Sequence, residues 1–279
     1  MSDTYAVFGN PIVQSKSPAI HRQFCEQTGE DMTYTKQLVE EGEFTNAANA
    51  FFKEGGHGLN ITAPFKQDAF AYATVLTERA QRAGAVNLLT RQVDGSVTGD
   101  TTDGIGMIND MLNLGWELSG KRVLVLGAGG AVRGVLEPLL AQNPGELCIA
   151  NRTASKAEEL ARDFHELGSV CGSALEALMG KQFDVVINGT SASLHGNLPP
   201  LPDDLLAADA ACYDMMYAAE PTIFMRWATE HGAAKVADGL GMLVGQAAES
   251  FYAWRHIRPE VVPVITQLRR KMNDAKNKQ

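Results

Sequence analysis

The sequence predicts an α/β protein of two domains, and three observations support this. The chain has 279 residues, which is enough for two domains of ordinary size. Short apolar runs of strand length alternate with helical patterns, an order typical of a mainly parallel sheet covered by helices. A strongly apolar run at 122–126 leads directly into a glycine turn and a further helical pattern, which is typical of a doubly wound sheet.

The first hundred residues predict alternating strands and helices. Strands are predicted at 5–8, 32–39 and 59–61, and helices at 17–27 and 42–53. Pro18 suits the first turn of the first helix, where Ile20 and Phe24 recur at helical spacing. Residues 87–98 predict a β-hairpin instead, because Asp94-Gly95 is a typical tight-turn pair.

The second half of the chain predicts a further set of parallel strands. Helices are expected at 105–114, after the turn at 127–131 and at 155–167, with strands at 122–126, 146–150, 185–188 and 211–213. The tail from Leu240 has a helical pattern and is long enough to return to the first domain. We therefore predict a first domain of 1–102 completed by 240–279, and a second domain of 103–239.

Composition excludes several classes of protein. A net charge of -9 argues against a nucleic-acid surface, since phosphate binding needs clustered Lys and Arg. No apolar run approaches the ~20 residues that span a bilayer, and the first residues do not resemble a signal peptide. The four cysteines and six histidines lack metal-ligand spacing, so no metal is expected. These features favour a cytoplasmic protein with reduced thiols.

The glycine turn after the strand at 122–126 predicts an anion site. The turn reads Gly127, Ala128, Gly129, Gly130 and Ala131. Backbone N–H groups at the start of the following helix would converge there on a pyrophosphate. The match to the dinucleotide motif is imperfect, because Val132 stands where a third small residue is usual. The alternative is a purely structural turn.

The segment after the next strand indicates which nicotinamide cofactor is bound. An NAD enzyme commonly has a carboxylate here, whereas this chain has Asn151, Arg152, Thr153 and Lys156. Cations and hydroxyls complement the extra 2′-phosphate of NADP, so the second domain is predicted to be a Rossmann-type NADP-binding domain. The alternative makes Thr153 an ordinary helix N-cap and Lys156 a solvated residue of the first turn.

Lys66 and Asp103 are the candidate catalytic residues. Each lies in a segment dense in small polar residues, 60–66 and 99–106, which suits a polyhydroxylated substrate. Together with a nicotinamide cofactor, this pair predicts redox chemistry at a carbon that bears a hydroxyl group. The alternative interpretation is an exposed helical lysine of no special function.

At these residues the chain resembles the shikimate dehydrogenase family from the first strand to the C-terminal helices. Segment 9–18 with His21 is similar to the family's first substrate loop, 60–66 to the segment of the catalytic lysine, and 99–106 to that of its aspartate partner. The resemblance implies substrate contacts from Ser15, Ser17, Asn60, Thr62, Lys66, Asn87, Asp103, Tyr217 and Gln246. One departure is Thr101, where the family usually has asparagine.

The resemblance extends to the cofactor site. Segments 127–131, 151–153, 188–191, 213–217 and 237–242 are similar to the family's cofactor-binding elements. The implied NADP contacts are Glu78, Gly127, Ala128, Gly129, Gly130, Ala131, Asn151, Arg152, Thr153, Lys156, Thr190, Met215, Gly239 and Met242. Substrate in one domain and cofactor in the other implies a cleft that separates the domains.

The activity implied by the resemblance is the reversible NADPH-dependent reduction of 3-dehydroshikimate to shikimate. This reaction belongs to the shikimate pathway to chorismate and the aromatic amino acids. Two alternatives stay open: a quinate/shikimate dehydrogenase with broader substrate and cofactor use, and a noncatalytic NADP-binding regulator. The expected partners are small molecules, and the sequence leaves the choice between monomer and homodimer open.

Overall fold

The protein consists of two compact α/β units. The structure is a computed structural model that describes residues 2–192 and 196–276. The first unit comprises Met1–Gly106 and Val244–Val264, and the second comprises Met107–Leu243 and Ile265–Gln279. The predicted two-domain α/β class is confirmed.

The first unit contains a six-stranded sheet. Its strands are Asp3–Gly9 (β1), Met32–Leu38 (β2), Gly56–Ile61 (β3), Val75–Leu76 (β4), Leu88–Arg91 (β5) and Val97–Asp100 (β6). The helices between them are Ser17–Thr28 (α1), Phe44–Lys53 (α2), Lys66–Tyr72 (α3) and Glu78–Ala83 (α4). The strand order is β2-β1-β3-β5-β6-β4, and only β5 runs antiparallel to its neighbours. The sheet is therefore mainly parallel, with the predicted hairpin formed by β5 and β6.

Packing of the first unit follows the helical spacing of its apolar residues. In α2, Phe44, Ala48 and Phe52 recur every four residues and are all buried. They lie in one apolar cluster with Phe8 of β1 and Leu59 of β3. Burial of this face fixes α2 against the sheet, as expected for an amphipathic helix.

The second unit contains six strands that are all parallel. They are Arg122–Leu126 (β7), Glu146–Asn151 (β8), Val170–Ala174 (β9), Phe183–Asn188 (β10), Leu206–Asp214 (β11) and Lys235–Asp238 (β12). The remaining helices of the chain are Asp103–Asn113 (α5), Gly130–Leu140 (α6), Ala154–Phe164 (α7), Ile223–Glu230 (α8), Leu240–Arg255 (α9) and Val262–Lys276 (α10). The strand order is β12-β11-β10-β7-β8-β9, so the chain adds β8 and β9 on one side of β7 and then β10, β11 and β12 on the other. This is the order of a doubly wound dinucleotide-binding fold.

The boundaries of the units differ from the predicted domains at two places. The first boundary follows Gly106 rather than residue 102, and only Val244–Val264 of the predicted 240–279 segment groups with the first unit. From Ile265 onward the last helix groups with the second unit, where Arg269 donates hydrogen bonds to the carboxylate of Asp238 and, at 2.7 Å, to the carbonyl of Ala218. The predicted C-terminal helical segment thus consists of two helices, α9 and α10.

Two further properties bear on function. No described helix combines the length and the hydropathy needed to cross a bilayer. Within residues 2–192 and 196–276, no cluster of three or more His, Cys, Asp or Glu side chains is arranged to hold a metal ion.

Candidate active site

One edge of the first sheet collects the polar residues singled out in the sequence. Strands β1 and β3 are parallel neighbours, so the loops that follow them start side by side. The N–H of Asn10 donates to the carbonyl of Ala63 at 3.1 Å, which ties these two loops together. The first loop leads to Ser15 and Ser17, and the second leads to Lys66 at the start of α3.

Lys66 and Asp103 meet at this edge. Strand β6 runs parallel to β3, and the chain leaves it to begin α5 at Asp103. Lys66 Nζ donates to Asp103 Oδ2 at 2.5 Å. The lysine side chain is 34% exposed and the aspartate 18%. The pair is therefore half-buried, with the ammonium still accessible to a small molecule.

Asn87 holds the other oxygen of the aspartate. Its Nδ2 donates to Asp103 Oδ1 at 2.9 Å and to Thr102 Oγ1 at 3.0 Å. The backbone N–H of Thr102 donates back to Asn87 Oδ1 at 2.9 Å. Both oxygens of Asp103 are thus engaged, which fixes the plane of the carboxylate relative to Lys66. Sequence reasoning missed Thr102, although it directly precedes Asp103.

Asn60 is buried and joins several segments. Its Nδ2 donates to the carbonyl of Asn87 at 3.2 Å and to Ser250 Oγ at 2.8 Å. Its Oδ1 accepts from the hydroxyl of Tyr34 at 2.8 Å. Both amide hydrogens of Asn60 are thus used inside the protein.

The other predicted substrate residues are spread over both units. Ser15 and Ser17 share a hydrogen bond of 3.3 Å between their hydroxyls at the start of α1. Thr62 is half-buried in the loop that leads to Lys66, and Gln246 lies on α9 within the first unit. Tyr217 belongs to the second unit, where burial raises the pKa of its hydroxyl. The structure therefore groups all of these residues except Tyr217 in the first unit.

His21 lies on α1, one turn after Ser17, and is fully buried. Its ring stacks on Tyr34 with centroids 4.0 Å apart, and neither nitrogen has a hydrogen bond of normal geometry within the described residues. Burial lowers its pKa from 6.5 to about 3, and the nearby Asn60 amide opposes this only in part. The ring is therefore neutral at physiological pH.

This buried histidine should make the protein less stable in acid. Below pH 6.5 the unfolded chain binds a proton that the folded chain does not accept until about pH 3. At about pH 5 this one group should remove about 2 kcal/mol of unfolding free energy, and His21→Phe should abolish that loss. Urea unfolding at neutral pH and at about pH 5 measures it, with exposed His165→Phe as control. Equal acid losses in wild type and His21→Phe would contradict the assignment.

In the second unit, the glycine turn forms as predicted between β7 and α6. Gly127 has φ 103°, a left-handed conformation that favours glycine. A Cβ at Gly129 or Gly130 would meet no atom within 4 Å, so the space beside the start of α6 is open. These unblocked N–H groups at a helix N-terminus suit a pyrophosphate.

The unusual Val132 is accommodated by a second glycine. Val132 is fully buried in the core of this unit. A Cβ at Gly189 would lie 2.4 Å from Val132 Cγ2, so only glycine at 189 leaves room for the larger side chain. The departure from the dinucleotide motif therefore changes core packing and leaves the surface of the turn open.

The segment that follows β8 presents unpaired cations. Arg152, Thr153 and Lys156 are exposed, and within the described residues neither cation takes part in an ion pair. Thr153 is the N-cap residue of α7, but its hydroxyl makes no capping hydrogen bond. Asn151 shapes the loop by donating to the carbonyl of Thr153 at 2.9 Å. Helix capping therefore does not account for these side chains.

A buried polar network lies at the carboxyl end of β10, the strand that neighbours β7. Asn188 donates to Asp214 at 3.0 Å and accepts from the hydroxyl of Thr190 at 2.7 Å. Asp214 also accepts from the hydroxyl of Thr222 at 2.6 Å, which opens α8. The network positions Thr190 and the adjoining Met215. Asp214 was not predicted as a site residue, although a carboxylate at the end of an apolar strand is an unusual feature.

The remaining predicted cofactor residues are placed as follows. Gly239 packs against Met215, since a Cβ there would lie 2.2 Å from the Met215 carbonyl oxygen. Met242 packs on the edge of the core. Glu78 lies in the first unit and is exposed in the first turn of α4, a position that favours a carboxylate electrostatically.

Comparison with known proteins assigns the family. The substrate-binding domain of shikimate dehydrogenase matches residues 7–89, shikimate/quinate 5-dehydrogenase matches 110–195, and the C-terminal domain of shikimate 5′-dehydrogenase matches 239–269. The shikimate dehydrogenase (NADP(+)) of Cellvibrio japonicus is 66% identical over 276 residues, which cover 99% of this chain and 100% of that relative. The chain belongs to the shikimate dehydrogenase family.

Other members of the shikimate dehydrogenase family agree over the whole chain. The relative from Saccharophagus degradans is 57% identical, with 96% of this chain and 99% of that protein covered. The crystal structure of shikimate 5-dehydrogenase from Thermus thermophilus in complex with NADP(H) and shikimate has a TM-score of 0.85. It is 30% identical and covers 97% of this chain and 99% of its own.

Proposed function

We propose that Lys66 and Asp103 are the catalytic pair of this enzyme. The chain is an NADP-dependent shikimate dehydrogenase, which interconverts 3-dehydroshikimate and shikimate, in agreement with the relative that is 66% identical over nearly its full length. The single observation that carries the catalytic assignment is the 2.5 Å contact between Lys66 and Asp103.

The second unit has the features that NADP requires. The open glycine turn at Gly127–Ala131 would hold the pyrophosphate, and Arg152, Thr153 and Lys156 would hold the 2′-phosphate. Thr190, Met215, Gly239 and Met242 remain the proposed contacts of the nicotinamide half. NADP, when bound, supplies the hydride acceptor and donor.

Lys66 would manage the proton at the reacting oxygen. In the reductive direction its ammonium donates to the C3 oxygen of 3-dehydroshikimate as negative charge develops there. In the oxidative direction the neutral amine accepts the proton of the C3 hydroxyl. A lysine suits both roles because it has three donor hydrogens when charged and one lone pair when neutral.

Asp103 would orient the lysine and accept a substrate hydroxyl. Asn87 donates to the carboxylate and is itself held by the N–H of Thr102, so Lys66 is directed by an acceptor that is fixed. Ser15 and Ser17 remain the proposed contacts of the substrate carboxylate, and Thr62, Tyr217 and Gln246 those of its ring and hydroxyls. Asn60 would act through its neighbours.

Some predictions rest on composition and family resemblance alone. They are a cytoplasmic location, the absence of a nucleic-acid partner, and a monomeric or homodimeric state.

Rates with shikimate or quinate, each with NADP⁺ or NAD⁺, test the proposed function. We expect rapid NADPH formation from shikimate and NADP⁺, and much slower turnover in the other three combinations. Comparable rates with quinate and NAD⁺ would favour the broader quinate/shikimate dehydrogenase. Tight NADP⁺ binding without any turnover would favour the noncatalytic regulator.

A further inference from the structure

Ser250 is a fully buried polar residue that the proposed mechanism does not use. It lies on α9, one turn after Gln246, and its exposed fraction is 0%. Its hydroxyl donates to the carbonyl of Gln246 at 3.0 Å and accepts the amide hydrogen of Asn60 at 2.8 Å. The hydroxyl is thus matched once as donor and once as acceptor.

Thr102 approaches the same carbonyl from the other side. Its Oγ1 donates to the carbonyl of Gln246 at 3.1 Å and lies 3.5 Å from Ser250 Oγ. Thr102 is also the residue that holds Asn87 and directly precedes Asp103. Ser250 is therefore linked to Thr102 through the shared carbonyl of Gln246, and Thr102 is linked to Asn87, which donates to the proposed catalytic carboxylate.

The backbone leaves little room for this arrangement to relax. A Cβ at Gly106 would lie 2.4 Å from the N atom of Gln246, so α5 and α9 are in direct backbone contact at that point. A Cβ at Gly245 would likewise lie 2.7 Å from the carbonyl oxygen of Gly106. Because α9 cannot move closer, loss of the Ser250 hydroxyl cannot be repaired by a small shift of the helix.

We infer that Ser250 is a positioning residue for the substrate site, which it serves by fixing Asn60 and the Gln246 segment relative to the Lys66–Asp103 pair. This inference rests on the proposed function. Ser250 itself is too deeply buried to touch substrate. Without it, one amide hydrogen of Asn60 is left in a buried position with no acceptor, which favours a different rotamer of Asn60.

Ser250→Ala, assayed with shikimate and NADP⁺, should lower kcat/KM for shikimate about tenfold. The KM for NADP⁺ should change by less than about twofold, because all of the proposed NADP contacts except Glu78 lie in the second unit. The control is Thr28→Ala on α1, which removes a helical hydroxyl-to-carbonyl bond of the same kind, to Phe24. Its kcat/KM should equal that of wild type.

A matched pair of variants separates the hydroxyl from packing. Ser250→Thr keeps the hydroxyl and Ser250→Val replaces it with a methyl group of similar size, so both carry the same added volume. Ser250→Thr should retain at least about fivefold more kcat/KM for shikimate than Ser250→Val. If the Val and Ala variants fail to fold, Ser250→Cys tests the same hydrogen bonds, because a thiol is a weaker donor and acceptor than a hydroxyl. Its kcat/KM for shikimate should be about threefold lower than that of wild type.

Three results would overturn the inference. One is Ser250→Ala or Ser250→Cys with the same kcat/KM as wild type. Another is equal activity of Ser250→Thr and Ser250→Val, which would mean that only packing matters at this position. The third is a fall in melting temperature without any change in kcat or in KM for shikimate. An inactive wild type would instead remove the proposed function on which the inference depends.

Discussion

Lys66→Met should lower kcat for shikimate oxidation about a thousandfold, the range measured when a general acid–base or a donor to a developing oxyanion is removed. Methionine is unbranched, keeps most of the apolar stem of lysine and has no proton to exchange. Asp103 would keep its hydrogen bond from Asn87, so the rest of the site should stay in place. The loss should therefore appear in kcat rather than in protein stability.

The rate of NADPH formation and the binding of NADP⁺ should be measured on the same preparation. NADP⁺ affinity should be nearly unchanged, since the proposed contacts of its phosphates lie in the second unit. Lys53→Met is a suitable control, because Lys53 is an exposed lysine in the last turn of α2 of the same unit. A Lys66→Met enzyme with wild-type turnover would remove Lys66 from the mechanism.

The second large effect concerns the choice of cofactor. Replacing both Arg152 and Lys156 with alanine should lower kcat/KM for NADP⁺ about a hundredfold, because the two proposed charge-assisted contacts to the 2′-phosphate would be lost. The kcat/KM for NAD⁺, which lacks this phosphate, should change by less than about threefold. The preference for NADP⁺ over NAD⁺ should shrink accordingly.

Arg162→Ala provides the control for this experiment. Arg162 is exposed in the last turn of α7, the helix that also carries Lys156. Its replacement by alanine removes one positive charge from the same helix. It should leave both cofactors unaffected. Should the double variant lose activity equally with NADP⁺ and NAD⁺, these side chains would support the fold or the adenosine half, and 2′-phosphate recognition would lie elsewhere.

The parts of the fold that sequence could predict are those encoded by neighbouring residues. The apolar run of β7, the glycine turn and the start of α6 are contiguous, so local pattern was sufficient. Lys66 and Asp103 were predicted to meet because each lies in a segment dense in small polar residues and because both segments resemble those of the family's catalytic pair. The family resemblance supplied the remaining residues, and the structure places most of them in the expected unit.

Other features could not be predicted because they depend on distant residues. Strand β9 has only half-buried residues, so its pattern lacks the alternation that marks a strand. Part of the last helix groups with the second unit, where Arg269 pairs with Asp238, which is 31 residues away. Ser250 resembles any small helical residue until Asn60, 190 positions earlier, is placed beside it.

The contact between Val132 and Gly189 has a consequence for how the family can vary. The two positions share one fixed volume, so a larger residue at 189 is tolerated only where 132 is small. A change at either site that is harmless in one homologue would therefore be damaging in another. A cofactor turn that departs from the motif can in this way be as well packed as a regular one, provided that the residue facing it is small enough.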